Sequence, residues 1–311
     1  MELDRVAQEL RGPMRKASAP GIEHRLGRRL ISAGLAVMPS GKVDGVVLEK
    51  RSSAGQGVRV HRPHVAGSSA AFLWIHGGGY VLGRAVLNDR LCGEIARELW
   101  ITVVATEYRK APEHPFPAAL DDCHAAWTWL QREAASLAID PARVAIGGES
   151  AGGGLAAALA QRLHDEGGIQ PAGQLLFCPM LDDRTAARNE LDAVDHFVWN
   201  NRKNRFGWRS YLGAEPGTGK VPPYAVPARR DVLAGLAPAW IGVSEIELFH
   251  GEDIAYAERL RAAAVPVDLD VVADAPHGFE SWAPDTEIAR RHQARASAWL
   301  RGVLEGQGAA D

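Results

Sequence analysis

Only three cysteines occur in 311 residues, and Cys92, Cys123 and Cys178 stand far apart with no Cys-x-x-Cys pair. That excludes a disulfide framework and a thiolate zinc site, and it points to a reducing, cytoplasmic compartment. Long apolar runs are missing too: nothing approaches the roughly eighteen uninterrupted apolar residues of a membrane span. Glu2, Asp4, Arg5 and Glu9 sit where a signal peptide would need an apolar stretch, so a soluble, unexported protein is expected. Neither charge is in excess. Thirty-five Lys and Arg against 38 Asp and Glu leave a net charge of -3, with no surplus of cations to neutralise phosphates, so nucleic acid is not an expected partner. The densest basic stretches, Arg25 to Arg29 and Arg202 to Arg209, read as solvated faces. His-Glu-x-x-His is absent, and Gly217-Thr218-Gly219-Lys220 lacks the upstream glycine and the Ser/Thr of a phosphate loop, so neither metal nor organic cofactor is expected.

What remains is an ordinary globular composition, 46% hydrophobic and 23% charged, able to bury a large core. Residues 1–42 carry apolar positions at helical spacing, as in Arg25 to Met38, interrupted by Pro13 and Pro20; one or two helices are expected ahead of the core. Gly45 to Lys50, Val58 to His61 and Ala70 to Ile75 read as strands. Helical and strand patterns then alternate: a helix over 87–99, a strand over 101–108, a helix over 118–137, a strand over 143–147, a helix over 151–165 and a strand over 174–178. Such alternation implies parallel strands joined by crossover helices. The rhythm breaks between about 182 and 224, in a Gly/Pro-containing stretch with Phe197, Trp199, Phe206, Trp208 and Tyr211. This stretch is expected to belong to a lid, its aromatics either lining a pocket or packing the lid on the core. Strands over 239–243 and 267–272 and helices over 252–264 and 285–303 complete the pattern.

Three motifs carry chemistry. Gly148-Glu149-Ser150-Ala151-Gly152 joins the strand ending Val144-Ala145-Ile146 to an alanine-rich helix. A G-x-S-x-G in that context builds a nucleophile elbow: the serine occupies a strained turn, and small neighbours let strand and helix approach. His76-Gly77-Gly78-Gly79 follows the strand Phe72 to Ile75, where glycine N–H groups can approach a tetrahedral oxyanion unobstructed. Gly77, Gly78 and Ala151 are the candidate donors, with His76 supporting the loop. A serine hydroxyl needs a base, and His277, in Ala275-Pro276-His277-Gly278-Phe279 between the last strand and the last helix, stands where a loop can aim an imidazole at Ser150. His61, His64, His164 and His292 have no motif around them. The acid orienting the base should come from the loop after the penultimate strand, which offers Glu245, Glu247, Glu252 and Asp253. The last two read as the acidic first turn of the next helix, leaving Glu245 and Glu247.

From about Ala71 onward these residues resemble the hormone-sensitive-lipase-like family of bacterial esterases, marked by a His-Gly-Gly-Gly loop and a Gly-Asp-Ser-Ala-Gly-Gly elbow. His76 to Tyr80 matches the first motif, Tyr108 to Asp122 looks like the family's long signature, and Gly148 to Gly153 matches the elbow, with Glu149 where aspartate is commoner. The signature reads as architecture: Pro112, Pro115 and Pro117 stiffen the entry to a helix whose dipole favours Asp121 and Asp122. In the family the acid is usually aspartate; matching Glu252 to Ala257 to the segment that follows it puts Glu247 at that position, with Glu245 in reserve.

The resemblance implies an α/β-hydrolase fold: a mostly parallel central sheet flanked by helices, residues 43–311, under a helical cap built from residues 1–42 and an insertion at about 182–224. It also implies a serine esterase of short- or medium-chain carboxylic esters, working through Ser150, His277 and Glu247 on small-molecule substrates, and homodimers are common in the family. Two other readings stay open. Elbow and oxyanion hole specify acyl transfer and not the leaving group, so an amidase or acyltransferase would carry the same residues. A non-catalytic receptor of small ligands is the other, although such members tend to lose the histidine that is present here.

Overall fold

The computed structural model describes residues 1–15, 17, 21–65 and 67–306. Pro20 and residues 307–311, at the end of the expected catalytic span, lie outside the described residues. Two helices precede the sheet, α1 (Gln8–Met14) and α2 (Arg25–Ala36). Pro13 falls in the last turn of α1, where its missing N–H forfeits one backbone hydrogen bond to the preceding turn.

Eight strands follow: β1 (Val46–Ser53), β2 (Gln56–Pro63), β3 (Ala71–Ile75), β4 (Thr102–Thr106), β5 (Val144–Glu149), β6 (Gln174–Phe177), β7 (Ala239–Ser244) and β8 (Val267–Val272). They form one sheet in the order β1-β2-β4-β3-β5-β6-β7-β8. β2 alone runs against its neighbours; every pair from β4 to β8 is parallel. The antiparallel start follows from a two-residue connection at Ala54-Gly55, too short for a crossover, whereas the later strands are separated by helices.

Period-two alternation decides which helix covers which face. Phe72 and Trp74 of β3, with Val103 and Ala105 of β4, meet α3 (Asp89–Leu99) and α10 (Glu287–Leu304) on one side. Leu73 and Ile75, with Val104 and Ile146, meet α4 (Ala118–Glu133), α5 (Ala151–Glu166) and α8 (His250–Ala262) on the other. β3 and β4 are buried along their whole length, as central parallel strands covered on both faces must be.

α6 (Asp183–Ala186) and α7 (Asn201–Leu212) occupy the stretch that broke the pattern, and the short α9 (Phe279–Trp282) follows β8. The two basic stretches are not simply solvated, as the sequence suggested. Arg28 turns inward, donating to the Ile22 carbonyl at 3.0 Å and lying 5.2 Å from the Phe206 ring centre. Lys203 is buried as well, donating to the Val198 carbonyl at 2.8 Å. The Arg28–Phe206 contact joins α2 to α7, and both cations use local carbonyl acceptors that charge counting cannot foresee. Asp122 likewise does more than answer a helix dipole: it binds the Arg109 guanidinium and backbone N–H, the latter at 2.7 Å.

Candidate active site

β5 delivers Ser150 at its carboxyl end with φ 57° and ψ -121°, a conformation that strains any non-glycine residue. The turn is held by the Ser150 N–H donating to the Phe177 carbonyl at 2.8 Å and by the Ser150 carbonyl accepting from Gly154 and Met180. Glycine is obligatory around it. A Cβ on Gly148 would lie 2.5 Å from the Ile75 carbonyl oxygen, and one on Gly152 only 2.1 Å from that same oxygen.

The loops after β7 and β8 bring two more side chains to the same point. His277 Nε2 lies 2.9 Å from Ser150 Oγ, and His277 Nδ1 makes a very short contact with Glu247 Oε2. Glu247 Oε1 accepts from the Ser244 N–H at 3.0 Å, so both carboxylate oxygens are committed. This pattern assigns the tautomer: Nδ1–H donates to the carboxylate, leaving Nε2 free to accept the serine proton. Phe249 sits edge-on to the imidazole, 5.2 Å between ring centres, and all three polar groups are almost fully buried. Glu245 is exposed. Glu252 and Asp253 lie in the first turn of α8, both buried, and burial pushes the Glu252 carboxyl up to about 8. Glu252 accepts the N–H groups of Leu181 and Asp182 at 2.8 and 3.0 Å, a structural duty away from the imidazole.

Gly77 crosses within van der Waals reach of the serine, since a Cβ there would lie 3.4 Å from Ser150 Cβ. Among the described residues, no protein acceptor takes the N–H groups of Gly77, Gly78 or Ala151, the last being the first residue of α5. His76 stacks on Tyr108 with ring centres 4.3 Å apart and pairs through Nδ1 with the Gly77 carbonyl at 2.7 Å. Burial holds its pKa well below the usual histidine range, so it is neutral and donates from Nδ1.

Glu149 carries more than its place in the elbow suggested. Its Oε2 accepts a very short hydrogen bond from Ser281 Oγ, and Gly278 packs on Oε1, so the residue before the serine is stitched to the loop bearing the histidine. Burial raises its carboxyl above the ordinary glutamate range. Cys178 lies close to Glu247 and His277, a trio that could in principle ligate a metal. Burial, however, raises its thiol well above the ordinary value, and a protonated thiol is a poor ligand.

A cavity of about 510 Å³ opens above these groups. Its floor is His76 to Gly79 with Glu149, Ser150 and His277; its roof includes Ile22, Ile31, Leu35, Val198, Trp199 and Lys203. The aromatics of the inserted stretch divide accordingly. Trp199 faces the cavity, Tyr211 and Trp208 pack on Tyr80 in the core, and Phe197 joins a cluster with Val6, Leu10 and Phe279.

The family described by the alpha/beta hydrolase fold matches residues 72–281. Among curated relatives, esterase LipI of Mycobacterium tuberculosis is 33% identical over 253 residues, covering 80% of this chain and 79% of its own. Carboxylic ester hydrolase LipN of the same organism is 36% identical over 226 residues; the match covers 71% of this chain but only 60% of LipN. Among solved structures, a bacterial heroin esterase superposes with a TM-score of 0.86 at 34% identity, covering 97% of this chain and 99% of its own. Esterase LipW from Mycobacterium marinum does so with 0.81 at 32% identity, covering 97% of each. The chain therefore belongs to the α/β-hydrolase family, in its hormone-sensitive-lipase-like branch of carboxylic ester hydrolases.

Proposed function

We propose that the chain is a serine carboxylesterase of short- to medium-chain esters, with Ser150 as nucleophile, His277 as base and Glu247 as the orienting acid. The observation that carries this is the continuous relay Ser150 Oγ, His277 Nε2, His277 Nδ1, Glu247 Oε2 at the floor of a largely apolar cavity. Ser150 Oγ attacks the ester carbonyl while its proton passes to His277 Nε2, and the Glu247 carboxylate offsets the imidazolium charge. The oxyanion is met by the N–H groups of Gly77, Gly78 and Ala151. Collapse transfers the proton to the departing alkoxide and leaves acyl-Ser150; water, deprotonated by His277, then releases the acid. In this reading residues 1–42 and 182–224 form the cap, because both contribute roof residues to the cavity. The three free, buried thiols support a reducing, cytoplasmic setting.

The test is Ser150→Ala with p-nitrophenyl acetate and butyrate. Turnover is expected to fall by at least about 10⁴-fold with the melting temperature preserved, and a fluorophosphonate label on the wild-type protein should be lost with it. Retained wild-type turnover would overturn the proposal.

A further inference from the structure

α2 has two apolar faces, and the cavity accounts for one of them. Ile31 and Leu35 point to the cavity roof. On the opposite side Leu26, Leu30, Ala33 and Val37 recur at spacings of four, three and four, which places them in one stripe along the helix and its C-cap. Leu26, Leu30 and Val37 are 69, 66 and 82% exposed. A stripe of that kind on a surface helix marks an interaction site, because apolar residues scattered singly would not line up.

Charge says what covers it. Arg25 and Arg29 are exposed beside the stripe, and α2 contains no acid. Among the described residues neither arginine has an ion-pair partner, and Glu23, the nearest acid in sequence, is engaged by Arg202 at 3.1 Å. Residues 1–42 hold eight Lys and Arg against four Asp and Glu, in a chain whose totals are 35 and 38. The positive segment of an acidic protein is therefore the one that carries the exposed apolar stripe. Apolar side chains flanked by unpaired arginines match an interface of acyl chains beneath anionic headgroups. A second copy of the chain fits less well. Four side chains fall short of the ~800 Å² per partner that stable dimers bury, and the arginines would have no acid on the facing α2.

We propose that the outer face of α2 docks this protein on an anionic lipid surface, with the cavity on the inner side of the same helix. Docking in this orientation puts the roof residues Ile31 and Leu35 within one helix diameter of the bilayer, so an apolar ester could pass from lipid to cavity without crossing bulk water. The docking itself does not depend on the catalytic assignment.

Vesicle flotation with the full chain tests it, using pure phosphatidylcholine and a phosphatidylcholine mixture containing about one third phosphatidylglycerol. The protein should float with the anionic vesicles and stay behind with the neutral ones. Arg25→Gln/Arg29→Gln should weaken partitioning roughly thirtyfold, at ~1 kcal/mol per cation near the surface. Leu26→Ser/Leu30→Ser should weaken it by at least about tenfold. Hydrolysis of soluble p-nitrophenyl acetate should be unchanged in both, which separates lost docking from lost folding. Absence of flotation with anionic vesicles, or equal flotation of both variants and wild type, would overturn the proposal. So would a wild-type dimer in size-exclusion chromatography that Leu26→Ser/Leu30→Ser converts to monomer, since the stripe would then belong to a second copy.

Discussion

Replacing Glu247 by glutamine is nearly isosteric, yet the surroundings of this side chain make the substitution severe. Its side chain is fully buried and that of His277 is 6% exposed, so the imidazolium formed during acyl transfer has little water to stabilise it. Two unit charges about 4 Å apart at an effective dielectric of ~20 attract by ~4 kcal/mol. At ~1.36 kcal/mol per decade, loss of the charge alone costs about 10³ in rate. The Ser244 N–H adds a second penalty. It already donates to Oε1, so glutamine would set its carbonyl there and turn its amide NH2 towards His277 Nδ1. Nδ1 must then accept, the ring proton moves to Nε2, and Nε2 can no longer take the serine proton; the combined loss should reach about 10⁴ in kcat. Glu245→Gln, at an exposed position, should stay within about twofold of wild type. The assay is p-nitrophenyl butyrate turnover with melting temperatures for all three proteins. A Glu247→Gln enzyme within tenfold of wild type, or a larger loss in Glu245→Gln, would refute the assignment of the acid.

Two further outcomes follow from the packing and the buried charge. Gly152→Ala should abolish activity and lower stability by about 3 kcal/mol or prevent soluble expression, because its Cβ would sit 2.1 Å from the Ile75 carbonyl oxygen and 2.5 Å from that of His76. Urea titration reads the stability, and a wild-type midpoint would contradict the close approach. Glu252, raised to about 8 in the folded state, binds a proton that an unfolded glutamate releases near the ordinary 4.5. Stability should therefore fall as pH rises from about 5 to 8, and Glu252→Gln, which keeps an acceptor for Leu181 and Asp182, should reduce that fall by on the order of 2 kcal/mol. Parallel pH–denaturation curves for the two proteins would refute the link.

Much of this architecture could be read from the chain because period and punctuation agree locally. The strands over 71–75, 144–149 and 239–244 are short and mainly apolar, with glycine or proline in or near each, and all lie within a few residues of their expected limits. Ser150 and His277 stood out because each sits in a motif at a strand-to-helix junction. The choice between Glu245 and Glu247 could not come from spacing alone. It turns on which face of a loop points inward: Glu247 reaches His277 Nδ1 and the Ser244 N–H, whereas Glu245 is exposed. Glu149 is visible in the sequence as a departure from the commoner aspartate, but its tie to the histidine loop is not: its partner Ser281 lies 132 residues away, and no local signal announces such a pairing. The inward turn of Arg28 and Lys203 was equally illegible, since the carbonyls that receive them belong to loops without periodicity.

The cavity draws its walls from two kinds of scaffold with unequal freedom to change. Floor position Gly78, and Gly148 and Gly152 behind the floor, have no room for a single added carbon, so drift there is lethal to the site before it can alter selectivity. Roof positions such as Ile22, Ile31, Leu35 and Val198 bear no comparable backbone constraint and face the space a substrate would fill. Diversification of appetite within this lineage should accordingly accumulate in the roof while the chemistry beneath stays frozen, which makes these four positions the rational starting library for redirecting the enzyme towards new esters.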